Sequence, residues 1–199
     1  MAYGKVIGIY SSIPGQGKSE VRKHLVAKHG FRHLPFGRVV RRMLMTFLVE
    51  YGYPEVTAQE YIDEDRDTPL ARVPGIPTVK HLSQTLTTSW GRNEIHPGLW
   101  TMDWECKAGV WSRSGVGVVA DDMSTPSEVE AVKRLGGQIW RIERTDATIS
   151  NVTASYSGEG ALNGLVYDRL ILNDGTLARL SKKVDKALLR TGKRCNEID

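Results

Sequence analysis

Cysteine is scarce in this sequence: Cys106 and Cys195 are the only two in 199 residues, far apart and without a Cys-x-x-Cys or a nearby histidine. Neither a disulfide framework nor a zinc site is indicated by that spacing, and a reducing cytoplasm is the expected compartment. No window approaches roughly eighteen uninterrupted apolar residues, and the N-terminal residues run into a strand-like segment with no charged-then-apolar leader. Neither a membrane span nor export is expected. Internal repeats, low-complexity tracts and a basic tail are also missing. The 27 basic residues are interleaved with 23 acidic ones for a net charge of +4. That balance suits small anions such as nucleotides and counts against nucleic acid as a partner. The histidines show no metal-ligand spacing, and no Ser-His-Asp set can be recognised.

What is present is ordinary for a folded α/β chain. Hydrophobic residues make up 40% and charged residues 25%, and the length suits one α/β domain over 1–199 with a small lid or insertion. Lys5–Tyr10 is a short β-branched run, followed by turn formers from Ser11 to Gly17 and an amphipathic segment from Lys18 to His29, so the order is strand, loop, helix. Helical spacing recurs from Arg38 to Tyr51. Residues 52–79 are acidic and proline-containing and read as a mobile or inserted connection. Helices are expected over Val79–Trp90 and, after the turn at His96-Pro97-Gly98, over Leu99–Ser112. Val116–Ala120 reads as a strand ending in Asp121-Asp122, and Ser124–Glu128 as a helix start with proline in the first turn. Strands follow at Gln138–Glu143 and Leu170–Leu172, separated by a polar lid-like segment over 145–169, and a closing helix follows Asn173-Asp174-Gly175. The alternation predicts a three-layer α/β fold: a mainly parallel sheet with helices on both faces, and ligands bound beyond the carboxyl ends of the strands.

Ser12-Ile-Pro-Gly-Gln-Gly-Lys-Ser19 matches the phosphate-loop pattern G-x-x-x-x-G-K-[ST] at every defined position except the first, where serine stands for glycine. A loop of this kind, between a strand and a helix, turns backbone N–H groups and a helix N-terminus toward phosphate oxygens. Gly15, Gln16, Gly17, Lys18, Ser19 and Glu20 are therefore candidates to bind ATP. Lys18 would reach the β and γ phosphates and Ser19 would place its hydroxyl on Mg²⁺. Arg38, Arg41 and Arg42 begin the next helix, where they either clamp an acceptor phosphate or form a solvated basic face. Asp121 and Asp122 end a buried-type strand, where a carboxylate either holds hydrated Mg²⁺ or orients the acceptor, or else simply caps a helix. Arg141 and Arg144 close the following strand, as phosphate contacts or as surface partners of Glu143. Trp90, Trp100 and Trp104 fit the core, with one of them a candidate floor for a base pocket.

Several segments together resemble the phage deoxynucleoside monophosphate kinases, relatives of adenylate kinase and dephospho-CoA kinase. Leu34-Pro-Phe-Gly-Arg-Val-Val-Arg-Arg-Met-Leu44 is similar to the family segment that carries a basic residue near the acceptor phosphate, at Arg41. Leu82-Ser-Gln-Thr-Leu-Thr-Thr-Ser-Trp-Gly-Arg92 resembles the family stretch before a Trp-containing helix, which makes Gln84 and Arg92 acceptor-site candidates beside Trp90 and Arg38. Val118–Asp122 with Glu128, and then Leu172–Leu177, resemble the late strand and the terminal Asn-Asp-Gly turn. The resemblance favours Asp122 for the metal, leaves Asp121 to the acceptor, and places Asn173 and Gly175 near the ATP base. Three positions depart from the pattern: Ser12, Thr87 in place of glycine, and Ser124 in place of an arginine for which Arg144 or Arg169 would compensate. The resemblance implies phosphoryl transfer from ATP to a deoxynucleoside monophosphate with Mg²⁺, through Lys18, Asp122, Arg41 and Arg144. It leaves a homodimer open.

Overall fold

Short buried strands alternate with helices through most of the chain in a computed structural model that describes residues 4–144, 162 and 166–189. The lid-like segment expected over 145–169 lies largely outside these residues. The described elements are β1 Val6–Tyr10, α1 Lys18–His29, β2 Arg32–His33, α2 Arg38–Glu50, α3 Glu55–Asp63, α4 Val79–Gln84, a π-helical segment Thr85–Ile95, α5 Leu99–Arg113, β3 Val118–Ala120, α6 Pro126–Arg134, β4 Gln138–Arg144, β5 Arg169–Asn173 and α7 Leu177–Leu189. The chain divides into two compact units, Met1–Phe36 with Asp103–Asp199, and Gly37–Met102. Among the described residues no helix is long and apolar enough to cross a membrane.

The first unit contains a five-stranded sheet in the order β2-β3-β1-β4-β5. All its pairings are parallel, with Gly8 opposite Ala120 on one side of β1 and Tyr10 opposite Arg141 on the other. Every residue of β1 is buried, because a central parallel strand has helices over both faces. Alternate side chains go opposite ways. Val6 and Tyr10 pack with Val118, Ala120 and Ile139 against Trp104 and Ala108 of α5 and Val129 and Val132 of α6. Ile7 and Ile9 pack with Trp140, Ile142 and Ile171 against Val21 and Leu25 of α1 and Leu180 and Val184 of α7. The result is the three-layer α/β arrangement expected from the sequence. Strand β2 is an addition to it. Arg32 and His33 are exposed and carry no apolar pattern, and they join the sheet through backbone bonds from Arg32 N–H to Gly117 O (2.7 Å) and from Leu34 N–H to Val119 O (2.9 Å).

The second unit is helical, with its own core of Val40, Leu44, Leu48, Ala58, Ile62, Leu70, Val79 and Trp100. Residues 52–79, expected to be an irregular connection, contain α3, whose Ala58 and Ile62 are buried, and Leu70 N–H donates to Pro77 O at 2.8 Å. The apolar residues there are sparse and fall between charged ones, so periodicity does not reveal them. The helix expected over Val79–Trp90 starts at Val79 but winds as a π-helix from Thr85. Three side chains draw on carbonyls of this stretch: Thr85 Oγ1 donates to His81 O (3.0 Å), Thr87 Oγ1 to Ser83 O (2.8 Å) and Trp100 Nε1 to Thr87 O (3.0 Å). Back-bonding of this kind competes with the α-helical ladder and favours a wider turn.

Gly91 makes the close approach of Trp100 possible, since a Cβ there would lie 2.4 Å from the indole ring. Gly91→Ala is therefore expected to destabilise the chain by about 1–3 kcal/mol through overpacking. Denaturant unfolding of the variant beside the wild type checks this.

Candidate phosphate-binding site

Because β1 lies between β3 and β4, the loop that leaves its carboxyl end, Ser11–Gly17, is flanked by the ends of both neighbours. Crevices at such positions are where open α/β sheets bind ligands. Gly15 and Gly17 take left-handed conformations, with φ of 79° and 103°, a region that costs a residue with a Cβ strain. Ser12 does not, since Ile76 is the only non-glycine with positive φ among the described residues. The serine at the first position of the pattern therefore costs no backbone strain. Ser11 Oγ closes the turn by donating to Ile13 O at 2.7 Å, and Ser12 Oγ donates to Glu143 Oε1 at 3.3 Å. Ile13, Pro14 and Gly15 are exposed, whereas Gln16 is buried.

Gln16 carries the loop's attachments. Its Oε1 accepts the Arg144 N–H at 2.6 Å, and its backbone carbonyl accepts Asn173 Nδ2 at 3.1 Å. The carboxyl ends of β4 and β5 thus grip one residue of the β1 loop. Asn173 also fills the space beside Gly17, where a Cβ would come within 2.6 Å of Nδ2. Gly17 is the residue before α1, and its carbonyl accepts the N–H groups of Glu20 and Val21 at 3.1 Å each. Lys18 and Ser19 therefore open the helix. Lys18 is half-buried and Ser19 exposed, and Glu20 pairs with Lys23 at 2.7 Å.

The two aspartates at the end of β3 have different surroundings. Asp121 accepts from His33 Nε2 at 2.6 Å and forms an ion pair with Arg22 Nε at 2.7 Å, so it ties β3 to β2 and α1. Burial by itself would raise its pKa, but the hydrogen bond and charge of His33, with the charge of Arg22, outweigh it and hold the carboxyl below its usual value. Asp122 Oδ1 accepts the Phe36 N–H at 2.9 Å. Ser124, in the place of the family arginine, donates N–H (2.7 Å) and Oγ (3.3 Å) to the buried carboxylate Glu128 Oε2, which also accepts the Thr125 N–H at 3.0 Å. On β4, Arg141 is paired with Glu143 and lies over the Tyr167 ring, its Cζ 5.6 Å from the centroid. Burial pushes the Tyr10 phenol beside it up, although Arg141 opposes the shift.

Of the residues singled out in the sequence, Gly15 to Glu20, Asn173, Arg144, Asp121 and Asp122 come together at the carboxyl ends of β1, β3, β4 and β5. Arg144 takes part through its backbone, with an exposed side chain, and Gly175 lies in the exposed turn after β5. Arg38, Arg41, Gln84, Trp90 and Arg92 belong to the second unit. There Arg41 pairs with Asp63, and exposed Trp90 lies 6.2 Å from Trp100, centroid to centroid. Arg22 and His33 were not anticipated. They give no sequence signal beyond charge, and their role follows from the pairing of β2 with β3.

No family model matches the chain, and no curated protein matches it. Among solved structures it is similar to a variant of an APS kinase from Mycobacterium tuberculosis, with 12% identity and a TM-score of 0.47 over 94% of this chain and 99% of that one. It is also similar to an unliganded sugar kinase from Janibacter sp., with 12% identity and a TM-score of 0.42 over 93% and 92%. Likeness at this level does not bear on what the chain acts upon. The architecture stands on its own strand order and loop geometry.

Asp121 should contribute to stability through its ion pairs. Its folded-state pKa lies below the ordinary 3.8, so the contribution is present above that value and is lost as pH falls through the lower folded value. Asp121→Asn is expected to unfold more easily than the wild type at neutral pH, with the gap closing as the pH falls below the ordinary carboxylate range and through the lowered folded-state value. Urea unfolding of both proteins across the acid range tests the sign.

Proposed function

We propose that the chain is an ATP-dependent phosphotransferase whose acceptor is a deoxynucleoside monophosphate. The observation that carries the reading is the Ser11–Gly17 loop, with left-handed Gly15 and Gly17, Gln16 held from two strands, and Lys18 and Ser19 opening α1. Such a loop aims backbone N–H groups and the positive end of a helix at an anion. The residues fit a nucleotide: the space above Gly15 is open, with nothing within 4 Å of where a Cβ would stand, and Lys18 supplies the cation. They also fit Mg²⁺, because the Ser19 hydroxyl and the Asp122 carboxylate are hard oxygen donors of the kind that ion takes. Bound there, Mg²⁺ would supply charge neutralisation at the phosphates.

In this reading the loop amides and Lys18 bind the donor phosphates and stabilise the charge that spreads over the migrating phosphoryl group. Asp122 orients the acceptor or a hydrated metal, and the Arg144 side chain is available at the end of β4. Arg41, with Arg38, Gln84, Trp90 and Arg92, would recognise the monophosphate. The choice of acceptor rests on the resemblance of the Leu34–Leu44 and Leu82–Arg92 segments, since a phosphate loop reports the donor and not the acceptor.

A coupled ADP-release assay across the four deoxynucleoside monophosphates, with nucleosides and dephospho-CoA as competing acceptors, tests the proposal. Monophosphate-dependent release is expected. Release with another acceptor, or salt-sensitive DNA binding with acceptor-independent hydrolysis, would replace it. Lys18→Ala should abolish turnover and leave the fold intact, and activity within about tenfold of wild type would remove the loop from the mechanism. Arg41→Ala should raise KM for the monophosphate far more than KM for ATP. An effect confined to ATP would move Arg41 to the donor side.

A further inference from the structure

On the sheet face that carries α1 and α7, away from the phosphate loop, three candidate metal ligands meet. His24 Nε2 and His29 Nε2 each lie 2.7 Å from Asp185 Oδ1, and the three ligand atoms are all within 4.8 Å of one another. The imidazoles meet edge-on, with centroids 5.5 Å apart. The other carboxylate oxygen, Oδ2, is held by Lys28 Nζ at 2.6 Å. Lys28, then His24 and His29, keep the Asp185 carboxyl far below the usual carboxylate range, against a smaller opposing effect of desolvation. It is an anion throughout the neutral range.

We propose that His24, His29 and Asp185 form a binding site for a divalent transition ion of the zinc class, distinct from the nucleotide site. Two features of the cluster point to this ligand chemistry. Both imidazoles converge through the same ring nitrogen on a single carboxylate oxygen, giving the two-nitrogen, one-oxygen donor set that Zn²⁺ accepts, with a fourth position left for water. Zn²⁺ ligand atoms at bond lengths of about 2.0–2.1 Å stand roughly 3.3 Å apart in a tetrahedron, so each imidazole nitrogen, now 2.7 Å from Asp185 Oδ1, would draw back from it by about half an ångström. All three are partly exposed, at 16, 27 and 26% of their side-chain surface, and can make that adjustment. The second feature is position. His29 is the last residue of α1, before Gly30 at φ 66°, and the carboxyl end of a helix favours a cation. His24 and His29 are five residues apart, which does not align two ligands on one helix face, and Asp185 is 156 residues beyond His29. The sequence therefore shows no metal-ligand spacing, and the site arises only from the packing of α1 against α7. An ion there would cross-link the helix that begins with Lys18 and Ser19 to the helix that follows β5. Lys28 sets its affinity: an ammonium beside the carboxylate opposes a divalent cation and keeps binding moderate.

Zn²⁺ titrated into the metal-free full-length chain, followed by calorimetry and thermal melting, tests the proposal. One saturable ion per chain and a raised Tm are expected. His24→Ala, His29→Gln and Asp185→Asn should each weaken binding by about tenfold or more, with circular dichroism confirming that the variants are folded. Lys28→Met should move the other way and tighten Zn²⁺ binding, because it removes the competing charge. This gain keeps the test decisive even if a ligand variant fails to fold. Co²⁺ in place of Zn²⁺ should give visible absorption without a thiolate charge-transfer band. Absence of saturable binding, retention of affinity within about threefold in the folded ligand variants, no tightening in Lys28→Met, or a thiolate band implicating cysteine would each overturn the assignment.

Discussion

A phosphate loop has to leave its amides unbonded to the rest of the protein so that they can bond to an anion, and a segment built that way cannot hold itself in shape. Here the grip on Gln16 solves the problem. A buried side-chain oxygen receives the Arg144 N–H, and the adjacent carbonyl receives the Asn173 amide. Each bond is worth only about 1 kcal/mol net, but both act on one residue whose neighbours, Gly15 and Gly17, are the most freely turning in the loop. The ends of β4 and β5 therefore determine which way the loop amides face. The parallel sheet in this sense shapes the loop, since a slip in the register of β4 or β5 would displace Arg144 or Asn173 from Gln16.

Asp121 and Asp122 show how two identical side chains in succession come to differ. A strand presents neighbours to opposite faces, and the chain keeps that divergence just past the end of β3. One carboxylate is turned to Arg22 and His33, where both its oxygens are engaged in holding α1 and β2 to the sheet. The other accepts the Phe36 N–H, shortly after β2. The chemistry proposed for Asp122 depends on Asp121 holding the surrounding elements in place.

Much of this was legible in the sequence, for identifiable reasons. The β-branched run at Val6–Tyr10, the glycines and the amphipathic stretch after them define strand, loop and helix locally, and α1 begins and ends where its pattern does. The alternation of such units leads to a parallel three-layer fold. What could not be read was of three kinds. Strand β2 has no apolar signature because Arg32 and His33 are exposed at the sheet edge. The π-helical segment has the periodicity of a helix but a winding governed by Thr85, Thr87 and the indole of Trp100, which is a tertiary contact. The roles of Gln16, Asn173, Arg22 and Asp185 depend on partners more than sixty residues away in the chain, at distances that spacing does not encode. The Arg41–Asp63 ion pair is similarly absent from any local pattern, whereas the pairing of Arg141 with Glu143, two residues on along the same strand, was one of the alternatives the sequence offered.

The negative φ of Ser12 bears on how loops of this kind are recognised. Glycine is favoured by conformation at Gly15 and Gly17, where the chain turns left-handed, but Ser12, at the first position of the pattern, stays out of the left-handed region and uses its hydroxyl to reach Glu143. In this chain the backbone conformation does not require glycine at the leading position of the pattern. Any filter that insists on it would pass over proteins built this way, and a rule written in backbone angles would retain them.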